Sequence, residues 1–184
     1  MPGSVKASVF VGVSLDGFIA REDGAIDWLP FPGPEEAEAH GFKKFIDSID
    51  AIVIGRKTYE TVLALDHWSY YGGKPVIVLS GRPVSIPDRL RKTVESMTAS
   101  PGDVVKALAK RGMKHLYVDG GKTIQGFLSA GLIHGLVITR VPILIGSGTP
   151  LFGALPRDVK LRHVRTQAFP SGLVQSEYEV LRKA

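Results

Sequence analysis

The chain has 184 residues, 44% of them hydrophobic and 22% charged, a composition that excludes a disordered polymer and predicts one continuous domain over residues 1–184. Its net charge of +5, from 23 basic and 18 acidic residues, is spread without a block of like charges. That pattern argues against a nucleic-acid surface and suits an anionic small ligand. The absence of cysteine removes disulfides, thiolate metal sites and cysteine nucleophiles.

The first apolar stretch, Ala7 to Val13, is small and β-branched and predicts a buried strand. Asp16 interrupts it, so no secretory signal is expected, and a cytoplasmic location follows. A glycine-rich segment from Asp16-Gly17 to Asp27-Trp28 comes next; it is either an active-site lid carrying a tryptophan or a surface hairpin with one anchoring aromatic. Phe42, Phe45, Ile46 and Ile49 form one helical stripe. Glu38, four residues earlier, extends that stripe and turns a carboxylate toward the sheet, or else it is a first-turn acid favoured by the helix dipole.

Ala51 to Ile54 predicts a second strand, which runs into Gly55-Arg56-Lys57-Thr58. A helix opening there presents free N–H groups and two cations to a phosphate; the plainer alternative is two solvated cations at a loop end. Pro75 to Leu79 predicts a central strand ending in Ser80-Gly81-Arg82, suited to a 2′-phosphate or simply a solvated turn. Ser100-Pro101-Gly102-Asp103 carries an N-cap, a proline in the first turn and an acid, and predicts a helix that Gly112 stops. The strand His115 to Val118 leads through Asp119-Gly120-Gly121-Lys122-Thr123 into a helix marked by Ile124, Phe127 and Leu128. The apolar stretch Leu136 to Ile145, broken by Arg140 and Pro142, is too short for a membrane span. Lys160 to Phe169 and Val174 to Val180, joined by Pro170-Ser171-Gly172, predict an antiparallel hairpin.

Strands alternating with helices define an α/β class: a mostly parallel central sheet, helices on both faces, and an antiparallel C-terminal hairpin. The five histidines show no metal-ligand spacing, and G-x-S-x-G and G-x-G-x-x-G are absent.

Four segments resemble the dihydrofolate reductases. Ile54 to Glu60 is similar to their phosphate-binding segment, Val78 to Pro83 to their 2′-phosphate strand end, Val118 to Ile124 to their glycine-pair turn, and Asp27-Trp28-Leu29-Pro30 to their mobile loop. The order and spacing match from about residue 7 to the C-terminal hairpin. Val13 to Gly17 and Pro142 to Gly153 are more similar to a sister branch, the reductase domain of the riboflavin-pathway deaminase-reductases and its stand-alone relatives. Those enzymes reduce a ribosylamino-pyrimidine phosphate with NADPH. The H-x-E and P-C-x-x-C signature of their deaminase half does not occur here.

The resemblance implies NADPH as cofactor, held at its phosphates by Arg56, Lys57 and Thr58, at its 2′-phosphate end by Leu79, Ser80, Gly81 and Arg82, and at the pyrophosphate and nicotinamide by Gly120, Gly121, Lys122, Thr123 and Ile124. It implies Glu38 or Asp16 as the substrate-side acid and Trp28 as the group closing over the site. The implied activity is hydride transfer to a pterin-like or ribosylamino-pyrimidine-like small molecule. The alternatives are a non-catalytic NADP- or pterin-binding module and an adenine-nucleotide binder indifferent to the 2′-phosphate. A homodimer through the C-terminal strands is implied as well, with no metal, membrane or nucleic-acid partner. Two departures stand out: Pro32 to Glu38 is rewritten, and Asp119 stands where dihydrofolate reductases more often have glycine.

Overall fold

Alternating side chains on the first strand, β1 (Lys6–Ser14), divide the molecule in two. Val9, Val11 and Val13 face one side and Phe10 and Gly12 the other, as the period of two requires. The computed structural model describes residues 5–30 and 34–181, so Pro32 and Gly33 of the rewritten segment lie outside the described residues. The further elements are β2 (Phe18–Ala20), α1 (Pro34–Ala39), α2 (Phe42–Asp47), β3 (Ala51–Gly55), α3 (Arg56–Ala64), β4 (Val76–Leu79), β5 (Val94–Met97), α4 (Pro101–Lys110), β6 (His115–Asp119), α5 (Gly121–Ser129), β7 (Gly135–Val141), β8 (Thr149–Pro150), β9 (Leu161–Ala168) and β10 (Val174–Val180).

Eight strands form one sheet in the order β5-β4-β3-β6-β1-β7-β10-β9. The pairs from β5 to β7 are parallel, and β10 runs antiparallel to both β7 and β9. The expected α/β architecture, with its antiparallel C-terminal hairpin, is therefore present. On one face α4 and α5 bury Val104, Leu108, Ile124 and Phe127 against Val9, Val53, Ile77 and Val118. On the other face Ile46 and Ile49 of the α2 region and Tyr59 of α3 pack on Ile52, Ile54, Val76 and Val78. Each such fully buried side chain contributes about 1.5–3 kcal/mol.

Local signals account for several boundaries. The Ser100 hydroxyl accepts from the Asp103 amide at 3.2 Å and caps α4 behind Pro101. Gly112, at φ 81°, follows the helix end. β5 and β7 carry no clear strand pattern in the sequence. β5 is a four-residue, half-buried edge, and β7 reads as a broken apolar run because Arg140 turns its side chain outward between buried Thr139 and Val141.

The stripe through Glu38 does not form. Gly41, at φ 74°, breaks the helix between Ala39 and Phe42, so Glu38 sits exposed on a separate short helix. No helix among the described residues is long and apolar enough to cross a membrane.

Candidate active site

Both cation-bearing strand ends open into one cavity of about 900 Å³ over the carboxyl ends of the parallel strands. There, β3 passes through Gly55 into α3, and β6 passes through Gly120 into α5. Neither helix has a side-chain cap, so the first-turn N–H groups of both are left for another partner. The two turns share the sequence G-x-K-T: Gly55-Arg56-Lys57-Thr58 and Gly120-Gly121-Lys122-Thr123. This repeat is a local signal of the site visible in the sequence itself.

The turns interlock. A Cβ on Gly120 would lie 2.4 Å from the Thr58 hydroxyl oxygen, and one on Gly55 would lie 2.8 Å from that of Thr123. Gly120 also holds φ 93°, ψ 136°, a region essentially reserved for glycine. A Cβ on Gly121 would meet the Thr149 methyl at 2.7 Å. Arg56, Lys57, Thr58, Lys122 and Thr123 all line the cavity, and Arg56 is turned toward Glu60 at 2.6 Å on its own helix.

The other expected cofactor residues divide. Leu79 lines the cavity beside Pro101. Ser80, Gly81 and Arg82 form the turn just beyond it, where the Ser80 hydroxyl donates to the Arg82 carbonyl at 2.7 Å and the Arg82 amide donates back at 3.1 Å. Arg82 is exposed and forms no ion pair among the described residues. Ile124 points away and is fully buried under the sheet.

The three residues expected on the substrate side lie outside the cavity. The Asp16 carboxylate accepts from the Ser14 hydroxyl at 2.6 Å and from the Gly146 amide at 2.8 Å, contacts that hold it below the usual carboxylate range. It pins the loop after β7 and borders a separate recess of about 280 Å³ with Arg140 and Phe152. Trp28 is not a lid over the cavity: it is buried against Val141, Phe169 and Leu173, anchoring a loop that Arg21 and Asp27 clamp with a two-pronged ion pair. Its neighbours Leu29 and Pro30 form the cavity wall. Leu29 is seated where a Cβ on Gly12 would come within 2.4 Å of its methyl. Glu38 is exposed.

A carboxylate does stand in the cavity, and it is Asp119. Its Oδ1 accepts from the Gly120 amide at 2.8 Å. Burial, opposed in part by that amide and by the Tyr117 hydroxyl, pushes Asp119 up to about 6. Around it Phe10, Phe42, Tyr71 and Tyr117 make an aromatic wall, with Phe10 and Phe42 edge to face at 5.2 Å. His40 completes the wall near the hairpin, its ring 4.1 Å from that of Phe169.

A parallel sheet closed by an antiparallel hairpin, with its ligand cavity over the carboxyl edge, is the dihydrofolate reductase-like class. The dihydrofolate reductase of Enterococcus faecalis, solved with NADP(H), shares that fold at a TM-score of 0.66 and 16% identity, covering 97% of this chain and 98% of its own. Within that class the RibD C-terminal domain model matches residues 6–175, and the chain belongs to that family. The uncharacterized protein YwjB of Bacillus subtilis strain 168 is 32% identical over 169 residues, 89% of this chain and 92% of its own length. A putative riboflavin biosynthesis protein of Shewanella sp. PV-4 has a TM-score of 0.87 at 37% identity, covering 97% of this chain and all of its own.

Proposed function

We propose that the chain is an NADPH-dependent reductase of a pterin-like or ribosylamino-pyrimidine-like small molecule. The observation that carries this reading is the pair of interlocked helix N-termini, each opened by a glycine and lacking a side-chain cap, that face a cavity also holding a raised-pKa carboxyl. The fit to a dinucleotide is chemical. Two helix ends without side-chain caps, Arg56, Lys57 and Lys122 supply the donors and positive charge that a pyrophosphate needs, and no side chain at 120 fits between the turns, nor one at 121 against Thr149. Thr58 and Thr123 fix the two turns against each other, and Ser80, Gly81 and Arg82 take the 2′-phosphate at the exposed end past Leu79.

Bound there, the cofactor supplies a hydride to a C=N bond, or to the imine or carbonyl of an opened sugar. The matching proton comes from Asp119, whose pKa of about 6 leaves it protonated often enough near neutrality and basic enough to be reloaded. Leu29, Pro30 and the aromatic wall keep water from the reacting carbon. The acid role thus passes from Glu38 and Asp16 to Asp119, and Trp28 serves as the anchor of the Leu29 wall.

The protein so read is a single cytoplasmic domain that pairs as a homodimer. The edge strand β9, exposed along its whole length, is the surface for that pairing. The test is NADPH oxidation, followed by absorbance, over a panel of dihydropterins and aminopyrimidine ribosides. Turnover of a member supports the reading. Tight NADPH binding with no turnover of any member replaces it with a non-catalytic binding module.

A further inference from the structure

The strands β1 and β6 separate toward the carboxyl edge of the sheet. Their paired register runs from Lys6↔His115 to Ser8↔Tyr117, whereas β1 stays paired with β7 as far as Ser14. Beyond Ser8, β6 reaches back to β1 through a side chain: the Tyr117 hydroxyl donates to the Phe10 carbonyl at 2.9 Å.

That side chain shares its strand face with the cavity carboxyl. Tyr117 and Asp119 lie two residues apart on β6, so the period of two turns both the same way, and both line the cavity. The Gly120 amide holds Asp119 Oδ1 at 2.8 Å, and the Tyr117 hydroxyl interacts with the same carboxyl.

The Tyr117 ring is fixed. It is 4% exposed and packs edge to face on Phe45 at 5.1 Å and on Phe42 at 6.2 Å. Its oxygen therefore stays in place while its proton is free to turn. Burial first, and then the charge of Asp119, hold Tyr117 well above the ordinary tyrosine range, so it remains a neutral donor near neutrality.

One hydroxyl proton thus faces two acceptors. With Asp119 protonated, the carboxyl does not call for a donor, and the proton rests on the Phe10 carbonyl. With Asp119 ionised, the charged oxygen is the stronger acceptor. The other ionisable groups lining the cavity are Arg56 and Lys57 of α3, Lys122 of α5, His40, and Tyr71 with its neighbours His67 and Tyr70. Among the described residues the Tyr71 hydroxyl and His40 Nε2 have no hydrogen-bond partner, so neither donates to Asp119. All of these groups are common to the wild type and Tyr117→Phe, so a difference between the two isolates the hydroxyl.

Resting on the reductase reading above, we propose that Tyr117 is a positioning residue of the reaction: its hydroxyl proton turns from the Phe10 carbonyl to Asp119 when Asp119 gives up its own proton. The turn stabilises the ionised acid in a buried site that disfavours its charge, and so sets the pH at which the acid is reloaded.

The test is a carbon NMR titration of the full chain labelled at its aspartate carboxyls and tyrosine Cζ atoms, with Asp119→Asn and Tyr117→Phe identifying the two signals. Wild-type Asp119 is expected to titrate at about 6. Tyr117→Phe is expected to raise that midpoint by about half a pH unit or more, and to move the alkaline limb of kcat/KM up with it while KM for NADPH holds. In the wild type the Tyr117 Cζ signal is expected to shift with the Asp119 midpoint without the phenol ionising, a measurement that requires no variant to be stable. An unchanged or lowered midpoint in Tyr117→Phe, or a Cζ signal that stays flat as Asp119 titrates, overturns the proposal. Absence of turnover by the wild-type chain is a separate result: it overturns the functional reading, and the two titrations still decide the coupling of Tyr117 to Asp119.

Discussion

The hydroxyl of Thr58 occupies the space beside Gly120 so closely that a Cβ there would sit 2.4 Å from its oxygen. Thr123 stands in the same relation to Gly55, at 2.8 Å. Each helix thus places its third residue against the glycine that opens the other, so two loops distant in sequence become one rigid anion-binding edge. Gly120→Ala forces both a steric shift and an unfavourable φ of 93°. It is expected to destabilise the fold by about 1–3 kcal/mol and to weaken NADPH binding. Urea denaturation together with calorimetric titration measures both effects.

Arg56 bears on affinity far more than on stability. Its only ion pair among the described residues is the exposed i, i+4 contact with Glu60, which contributes about 0.3–0.5 kcal/mol. Arg56→Ala is expected to unfold within that margin of the wild type while losing about tenfold in NADPH affinity. Equal NADPH affinity in the two proteins removes Arg56 from the phosphate site.

Asp119 makes opposite demands on stability and catalysis. Its pKa is raised from 3.8 to about 6 in the folded chain, so folding favours its protonated form. The stabilisation is complete below the unfolded value of about 4 and is lost as pH rises through about 6. Asp119→Asn keeps an oxygen to accept from Gly120 and cannot titrate. The difference in unfolding free energy between the two proteins is therefore expected to move in favour of the variant from pH 4 to 6 and to level off above. As the proton donor, Asp119 also predicts that wild-type kcat/KM falls above about pH 6, and that the variant loses about a hundredfold or more in kcat.

Asp16 gives the reverse pH signature. Its carboxyl is held below the usual range by the Ser14 hydroxyl and the Gly146 and Ile145 amides. The stability it adds is present above the unfolded carboxylate pKa and is lost as pH falls through the folded value. Asp16→Ala is expected to destabilise the chain at neutral pH and to approach the wild type in acid. Denaturation curves at neutral and acidic pH distinguish this loop-pinning role from a substrate role.

How much of this was legible in the sequence depends on the range of the interaction. The strand-glycine-cation segments at 51–58 and 115–123, the Ser100 cap and the C-terminal hairpin rest on contacts within a few residues, and they form as the pattern predicts. Glu38 misled because the positive φ of a single residue, Gly41, rotates the helix axis out from under a valid stripe. The place of Asp16 was not legible because its partners at Ile145 and Gly146 are remote in sequence. Asp119 is conspicuous in sequence only as a departure from a family pattern. Its raised pKa comes from burial between β3 and β1, which strand order alone brings about. Tyr71 and His40 gave no signal, since an unpaired polar atom is a property of the packed state.

The central claim is that the paired G-x-K-T turns, with Ser80 and Arg82 beyond them, form an NADPH site. A titration of the purified chain with NADPH and with NADH, followed by tryptophan fluorescence and checked by calorimetry, tests it most directly. The account predicts micromolar or tighter NADPH binding, with NADH weaker by about tenfold or more. Equal affinities contradict the 2′-phosphate assignment to Ser80 and Arg82, and no binding of either contradicts the cofactor site itself.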